Sequence, residues 1–164
     1  ALPICELRER DPLFNLTTDI VVGFPSETEA EFIESVHAVD SLGFGHVHTF
    51  PYSVRRGTRA ERMSGHLPSR VKTERAAQLR RAAAQTKHRY RELFAGRRER
   101  LLVERAVDTD RGIRRYGLGE HYVPIEAVWA NPAVPAANLE NTFVDVHIER
   151  PSEGEEPVLL GRVV

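Results

Sequence analysis

Two short segments, each placed directly after an apolar run, carry the residues best suited to hold a ligand. Gly23-Phe24-Pro25 follows the β-branched run Ile20-Val21-Val22, and Pro51-Tyr52-Ser53 follows the run that ends at Phe50. Glycine lets a ligand approach the backbone closely, and aromatic rings offer it apolar faces. From the residues alone, an ordinary turn flanked by core aromatic side chains is an equally open interpretation.

The surrounding pattern predicts that a strand–helix–strand unit positions both segments. Ser26 stands three residues before Glu29, a capping-box spacing, and apolar residues recur at helical spacing over residues 27–41. Gly43 is a typical helix stop, and His46–Phe50 alternates like a strand. Such a unit implies parallel strands, whose carboxyl ends meet at one edge and commonly bind ligands there.

Three further features leave their function open. His46 and His48 share one strand face and could bind a metal, although no third ligand stands near them in the sequence. The basic loop Val54–Ala60 could contact a phosphate or a carboxylate, or could simply be solvated. The single cysteine, Cys5, cannot form an internal disulfide or hold a metal cluster by itself.

Charge is distributed unevenly along the 164 residues, whose net charge is only −1. Between Pro68 and Arg100 there are eleven Lys or Arg residues against three Asp or Glu, which indicates either a polyanion partner or a solvated helix face. The pattern predicts one long helix over Pro68–Ala95, with a narrow apolar stripe bordered by cations. No apolar run approaches the roughly 20 residues that span a bilayer.

Residues 97–164 show short apolar or alternating runs that predict a small antiparallel β-barrel. Predicted turns separate the runs at Asp108–Asp110, Gly117–Gly119 and Ser152–Gly154, and Asn131–Asn138 is expected to be a loop. The fold class is therefore α/β in residues 1–96, followed by a β-barrel in residues 97–164.

Three landmarks in fixed order resemble the C-terminal part of the radical S-adenosylmethionine methylthiotransferases. They are DIVVGFPSETEAEF, GFGHVHTFPYSVRRGTRAERM and LPSRVKTERAAQLR. The FPYS form most resembles the branch that modifies threonylcarbamoyladenosine beside the tRNA anticodon, while sister branches act on isopentenyladenosine or on a ribosomal protein. The chain departs from the usual family pattern at Ser26, Val54 and Arg56, where the family has Gly, Pro and Pro.

The resemblance implies that residues 1–96 are the last part of a radical-SAM barrel and that S-adenosylmethionine is the cofactor. Its adenosyl part would contact the two strand ends, at Val22, Gly23, Phe24, Phe50, Pro51, Tyr52 and Ser53. The family's CxxxCxxC motif is absent from the sequence. The 4Fe-4S clusters are therefore expected to be held by missing N-terminal domains of the same protein, and no catalytic residue can be named.

The resemblance also implies that residues 97–164 are a TRAM domain that binds RNA, with the tRNA anticodon stem-loop as partner. Basic and aromatic residues are the candidate contacts: Arg97, Arg98, Arg114, Arg115, Tyr116, His121 and Tyr122. Part of the basic helix is a further candidate. Acidic residues outnumber basic ones after Leu101, so any RNA surface must be local.

The resemblance predicts a cytoplasmic enzyme with no membrane partner. Two alternatives remain open at this point: a non-catalytic RNA-binding module from a truncated chain, and a ribosomal-protein methylthiotransferase. If the barrel is incomplete, Val21, Val22 and Phe50 are expected to form an exposed apolar patch and the fragment to fold poorly.

Overall fold

The computed structural model describes residues 2–110, 112–129 and 139–164, so the loop predicted at 131–138 lies outside the described residues. The contacts divide the chain into two compact units, which we call the α/β unit (residues 2–4 and 16–87) and the barrel unit (residues 5–15 and 88–164). The helices are α1 (Leu2–Arg10), α2 (Glu29–Leu42) and α3 (Ser69–Glu92), with a short 3-10 helix at Ala60–Arg62. The strands are β1 (Thr17–Val22), β2 (His46–Pro51), β3 (Arg98–Thr109), β4 (Gly112–Gly119), β5 (Pro124–Trp129), β6 (Phe143–Pro151) and β7 (Leu159–Val163).

The α/β unit contains the predicted strand–helix–strand arrangement. β1 and β2 pair in parallel, with Thr17 opposite His46 and Val22 opposite Pro51, which confirms the predicted pairing. As predicted, α2 ends at Gly43, which adopts a left-handed conformation and donates its N–H to the Val39 carbonyl at 3.2 Å. Both carboxyl ends therefore lie at one edge of this small sheet.

The capping box of α2 lies two residues later than predicted. Thr28 Oγ1 accepts the Glu31 N–H at 3.2 Å, and a Glu31 carboxylate oxygen accepts the Thr28 N–H at 2.8 Å. Ser26 instead belongs to the preceding turn: its φ is +68°, and its N–H donates to the Gly65 carbonyl at 2.9 Å. The prediction was wrong because Ser-x-x-Glu and Thr-x-x-Glu overlap in this segment, and the turn uses the serine.

The exposed patch predicted for the α/β unit is present in part. Val21 and Phe50 are 48% and 49% exposed, as predicted, but Val22 is fully buried. Successive residues of a strand face opposite sides, so Val22 turns away from Val21 and joins the cluster that contains Phe32 and Leu79. Val22 is therefore a core residue.

Helix α3 has the predicted position and an apolar stripe, but three of its cations are not solvated. Arg75, Lys87 and Arg91 are 7%, 4% and 6% exposed. The helix ends at Glu92, three residues before the predicted end, and Leu93 beyond it is 49% exposed. The apolar stripe is therefore shorter than predicted, and the buried side of the helix also contains these three cations.

The barrel unit contains a closed five-stranded barrel in the order β3-β4-β5-β7-β6. The expectation of a wholly antiparallel barrel was wrong, because β5 and β7 pair in parallel. The turn predicted at Gly117–Gly119 was also wrong, because these residues form the end of β4. Gly117 is required for close approach, since a Cβ there would overlap the Leu102 carbonyl oxygen. Within the described residues, every helix is too short or too polar for a transmembrane segment.

Candidate functional site

An open cleft lies at the carboxyl ends of β1 and β2 in the α/β unit. Its volume is about 690 Å³ and it is mostly apolar. The lining residues are Asp19, Val21, Phe24, Phe50, Pro51, Tyr52, Ser53, Arg55, Thr58 and Ala60. The structure thus brings five of the seven predicted cofactor-binding residues together around one cleft.

The other two predicted residues, Val22 and Gly23, do not line the cleft but shape the turn beside it. The Val22 carbonyl accepts the Tyr52 N–H at 2.8 Å, which joins the two strand ends. Gly23 has a φ of +73°, and the side chain of Lys72 occupies the space that a Cβ would need. These two positions therefore support the cleft through the backbone and through packing.

The aromatic side chains form the walls of the cleft. The rings of Phe24 and Tyr52 meet edge to face, with centroids 5.2 Å apart. Phe24 and Phe50 are 41% and 49% exposed, so neither is a core residue within this unit. Exposed ring faces around a concave surface can pack against a flat heterocycle.

One residue of the cleft lining has a polar atom without a hydrogen-bond partner in the described part of the chain. The Tyr52 hydroxyl is buried, and no partner for it is found among the described residues. A buried hydroxyl without a hydrogen bond costs about 1–3 kcal/mol, which a ligand or an ordered water can recover. Tyr52, a residue of the cleft lining, therefore carries a hydrogen-bonding atom that no described residue uses.

A buried ion-pair network fixes the turn at Gly23. The Gly23 N–H donates to a Glu27 carboxylate oxygen at 2.8 Å, and Arg75 hydrogen-bonds to that same carboxylate and to Glu29. The Arg75 guanidinium also lies 5.1 Å from the centre of the Phe32 ring. Although burial disfavours the cation, the bonds to Glu27 and Glu29 raise the pKa of Arg75. Sequence reasoning missed this arginine. The one indication in the sequence is its position directly before Ala76, which lies on the buried side of α3.

The two histidines of β2 lie close together. His46 Nε2 and His48 Nδ1 are 3.3 Å apart. Among the residues that the structure describes, no group of three or more His, Cys, Asp or Glu side chains could hold a metal ion.

The predicted RNA contacts in the barrel unit have different environments. Arg97 and Arg98 are exposed, and Tyr122 is 80% exposed at the tip of a turn. Arg114 forms an ion pair with Glu126 at 2.7 Å, and the neighbouring Tyr116 and Glu126 raise its pKa. These side chains are accessible from the outside of the barrel.

Two of the predicted RNA contacts, Arg115 and His121, are buried and partly buried, respectively. Arg115 is 2% exposed, because strand alternation turns it into the barrel, where its guanidinium lies 4.5 Å from the centre of the Trp129 ring. Burial lowers the pKa of Arg115. His121 is only partly exposed, and its Nδ1 lies 3.1 Å from the buried carboxylate of Glu99. A surface role for the Arg115 guanidinium is therefore inconsistent with its burial.

The structure reveals a different grouping on the outside of β6, β3 and β4. The strand register places Leu102 opposite both Phe143 and Leu118, and Arg105 opposite Tyr116. We call this grouping the outer face; its cations and aromatic residues are Arg98, Arg100, Arg105, Arg114, Tyr116 and Phe143.

Two of its arginines lie over aromatic rings. The Arg100 guanidinium lies 4.6 Å from the centre of the Phe143 ring, and that of Arg105 lies 4.4 Å from the centre of the Tyr116 ring. Phe143 is 58% exposed, so one side of its ring remains available. Sequence reasoning missed Arg100, Arg105 and Phe143, because strand pairing brings them together and a bulge between Val103 and Arg105 interrupts the alternation of β3 before Arg105.

Comparison with known proteins gives a consistent result. No protein-family model matches the sequence. The chain is 41% identical to the threonylcarbamoyladenosine tRNA methylthiotransferase MtaB of Thermotoga maritima over 123 residues, which cover 75% of this chain and 28% of the relative. It is 30% identical to MtaB of Chlamydia pneumoniae over 159 residues, which cover 97% of this chain and 35% of that protein.

The names of a second group of relatives specify a different nucleoside, dimethylallyladenosine. The tRNA-2-methylthio-N(6)-dimethylallyladenosine synthase of Moorella thermoacetica is 39% identical over 107 residues, which cover 65% of this chain and 24% of the relative. The chain belongs to the methylthiotransferase family. This confirms the resemblance predicted from the sequence. The chain spans about a quarter to a third of the length of the curated relatives it matches.

Proposed function

We propose that the protein to which this chain belongs adds a methylthio group to C2 of N6-threonylcarbamoyladenosine next to the anticodon of tRNA. The observation that carries the proposal is the similarity to the Chlamydia MtaB over 97% of the chain, because that match runs through both units. The name of that relative specifies threonylcarbamoyladenosine in tRNA. A tRNA substrate implies a cytoplasmic location.

In this proposal β1, α2 and β2 are the last part of a radical-SAM barrel, and S-adenosylmethionine binds at the cleft. The fit is supported by the volume of about 690 Å³, by the exposed rings of Phe24 and Phe50, and by the unpartnered Tyr52 hydroxyl. These three side chains would hold the adenosyl part, with Pro51 and Ser53 beside it. When bound, S-adenosylmethionine supplies radical chemistry and the methyl group.

The chain's own residues have supporting roles in this scheme. The aromatic walls exclude water from a heterocycle, and the network of Gly23, Glu27 and Arg75 holds the turn in one conformation. The sequence contains one cysteine, so a 4Fe-4S cluster held by three cysteines would draw its ligands from another part of the parent protein.

The barrel unit would bind the tRNA through the outer face. Arginines neutralise phosphates, and exposed rings stack on unpaired bases, so alternating arginine and aromatic residues suit a single-stranded loop. Arg100 on Phe143 and Arg105 on Tyr116 provide two such pairs. Of the residues predicted from the sequence, Arg98, Arg114 and Tyr116 belong to this face, and Arg97 and Tyr122 remain candidates.

The parent enzyme, with reconstituted clusters, provides the decisive test. It is incubated with S-adenosylmethionine and tRNA that carries threonylcarbamoyladenosine or dimethylallyladenosine, and the nucleosides are analysed by mass spectrometry. We expect the methylthio product only from threonylcarbamoyladenosine. A product from dimethylallyladenosine alone would overturn the substrate assignment, and RNA binding without any product would favour a non-catalytic RNA-binding module.

A further inference from the structure

A second basic surface lies in the α/β unit. We call residues 55–62 the arginine loop, because Arg55, Arg56, Arg59 and Arg62 are all exposed there. The loop also contains one acidic residue, Glu61. Four cations within eight residues produce a strong local positive potential in a protein whose net charge is −1.

Local hydrogen bonds give the arginine loop a defined shape. Thr58 Oγ1 donates to the Arg55 carbonyl at 2.8 Å and accepts the Glu61 N–H at 3.2 Å. The Glu61 carboxylate accepts the Gly57 N–H at 2.6 Å, and Gly57 has a φ of +81°. The only carboxylate of the loop is therefore engaged with the backbone, while the arginine side chains extend into solvent.

The arginine loop borders the cleft. Arg55, Thr58 and Ala60 contribute to its lining, beside the aromatic walls. Arg55 and Asp19 are the charged residues of that lining, and the excess of positive charge beside the cleft comes from the other three arginines of the loop.

The number and spread of the cations favour one kind of anion. A single carboxylate or phosphate can be bound by one or two arginines, whereas a polymer with regularly spaced phosphates can engage several at once. We propose that the arginine loop binds the phosphodiester backbone of the RNA substrate beside the nucleoside that enters the cleft. This inference rests on the proposed function, since it needs an RNA substrate, but it assigns a second RNA-binding site outside the barrel unit.

The test uses the complete 164-residue chain and a synthetic RNA hairpin with an anticodon-loop sequence. Binding is measured by fluorescence anisotropy over a range of salt concentrations. The variant is R56Q/R59Q/R62Q, which leaves the cleft-lining Arg55 in place. The matched control is R70Q/R80Q/R81Q, which removes three exposed cations from α3 in the same unit. Circular dichroism checks that both variants are folded.

We expect the loop variant to bind about tenfold more weakly at low salt, with a log–log salt slope that is shallower by about 2–3, and the control to change far less. An equal loss in both variants would overturn the proposal, because it would indicate general charge attraction. No change in the loop variant would also overturn it.

A parallel variant separates this inference from the proposed function. If Y116A/F143A in the barrel weakens RNA binding while the loop variant does not, the barrel binds RNA and only the loop assignment fails. If neither affects binding, both assignments fail. Calorimetry with S-adenosylhomocysteine provides one more outcome: an affinity lowered only by the loop variant would show that the loop binds the cofactor's carboxylate, which would also overturn the proposal.

Discussion

The cleft of the α/β unit and the outer face of the barrel unit are built by different rules. At the cleft, the important residues are near neighbours in sequence, because the end of β2 contributes the four consecutive residues Phe50–Ser53 and the end of β1 contributes Val21 and Phe24. On the barrel, Arg100, Arg105 and Phe143 meet only through strand pairing. Short motifs therefore locate the first site, whereas register and a bulge determine the second.

The two units also bury arginine in different ways. Arg75 is paired with two carboxylates, whereas Arg115 lies against the Trp129 ring and its pKa is lowered by burial. This contrast predicts different consequences for substitution. Trp129 is the only tryptophan of the sequence and lies in the barrel, so its fluorescence reports on that unit, while the helical signal reports chiefly on the α/β unit.

The largest effect is expected for Arg75→Met. It leaves the Glu27 carboxylate buried without its cation and should destabilise the α/β unit by about 3–5 kcal/mol. Urea denaturation followed by circular dichroism measures the change. Arg70→Met is the control, since its ion pair with Glu74 is exposed and contributes about 0–1 kcal/mol. Equal effects of the two substitutions would contradict the role of the buried network.

A smaller effect is expected for Arg115→Gln, which removes a buried side chain that packs against Trp129 and should destabilise the barrel by about 2 kcal/mol. Trp129 fluorescence during denaturation measures this loss of stability.

Arg105→Gln is the matched substitution on the outer face. It should alter stability by at most about 0.5 kcal/mol but reduce the salt slope of RNA binding by about 1. The reverse result, with Arg115 affecting the salt slope, would place Arg115 on the RNA surface.

The smallest expected effect is a pH dependence of the stability of the barrel, which arises from Glu99. Burial raises the pKa of Glu99, although His121 lowers it in part, so the protonated form is favoured more in the folded barrel than in the unfolded chain. The contribution to stability is fully present below the ordinary carboxyl pKa and is lost as the pH rises through the raised value.

Glu99→Gln should therefore gain stability relative to the unsubstituted protein as the pH rises from about 4 to about 7. Trp129-monitored denaturation at several pH values measures the difference. The exposed Glu104→Gln is the control and should show no such trend. A constant difference for Glu99→Gln across this range would rule out the coupling.

Much of the α/β unit could be predicted because local signals act there. β-branched runs, a helical period and Gly43 located the strands and α2, and the parallel order followed from the length of the connection. The failures have physical causes. Overlapping capping signals misplaced the start of α2, and Gly117 was mistaken for a turn residue although it permits close packing of two strands.

The sequence by itself determined the family, the strand ends that form the cleft and the presence of a barrel, because these depend on neighbouring residues and on patterns a few residues long. Only the tertiary structure decided that Arg75 and Arg115 are buried, that β5 and β7 run in parallel and that the outer face unites three strands. Those features depend on which distant residues pair. A single-residue bulge changes the side to which the following side chains point, and local sequence carries little information about it.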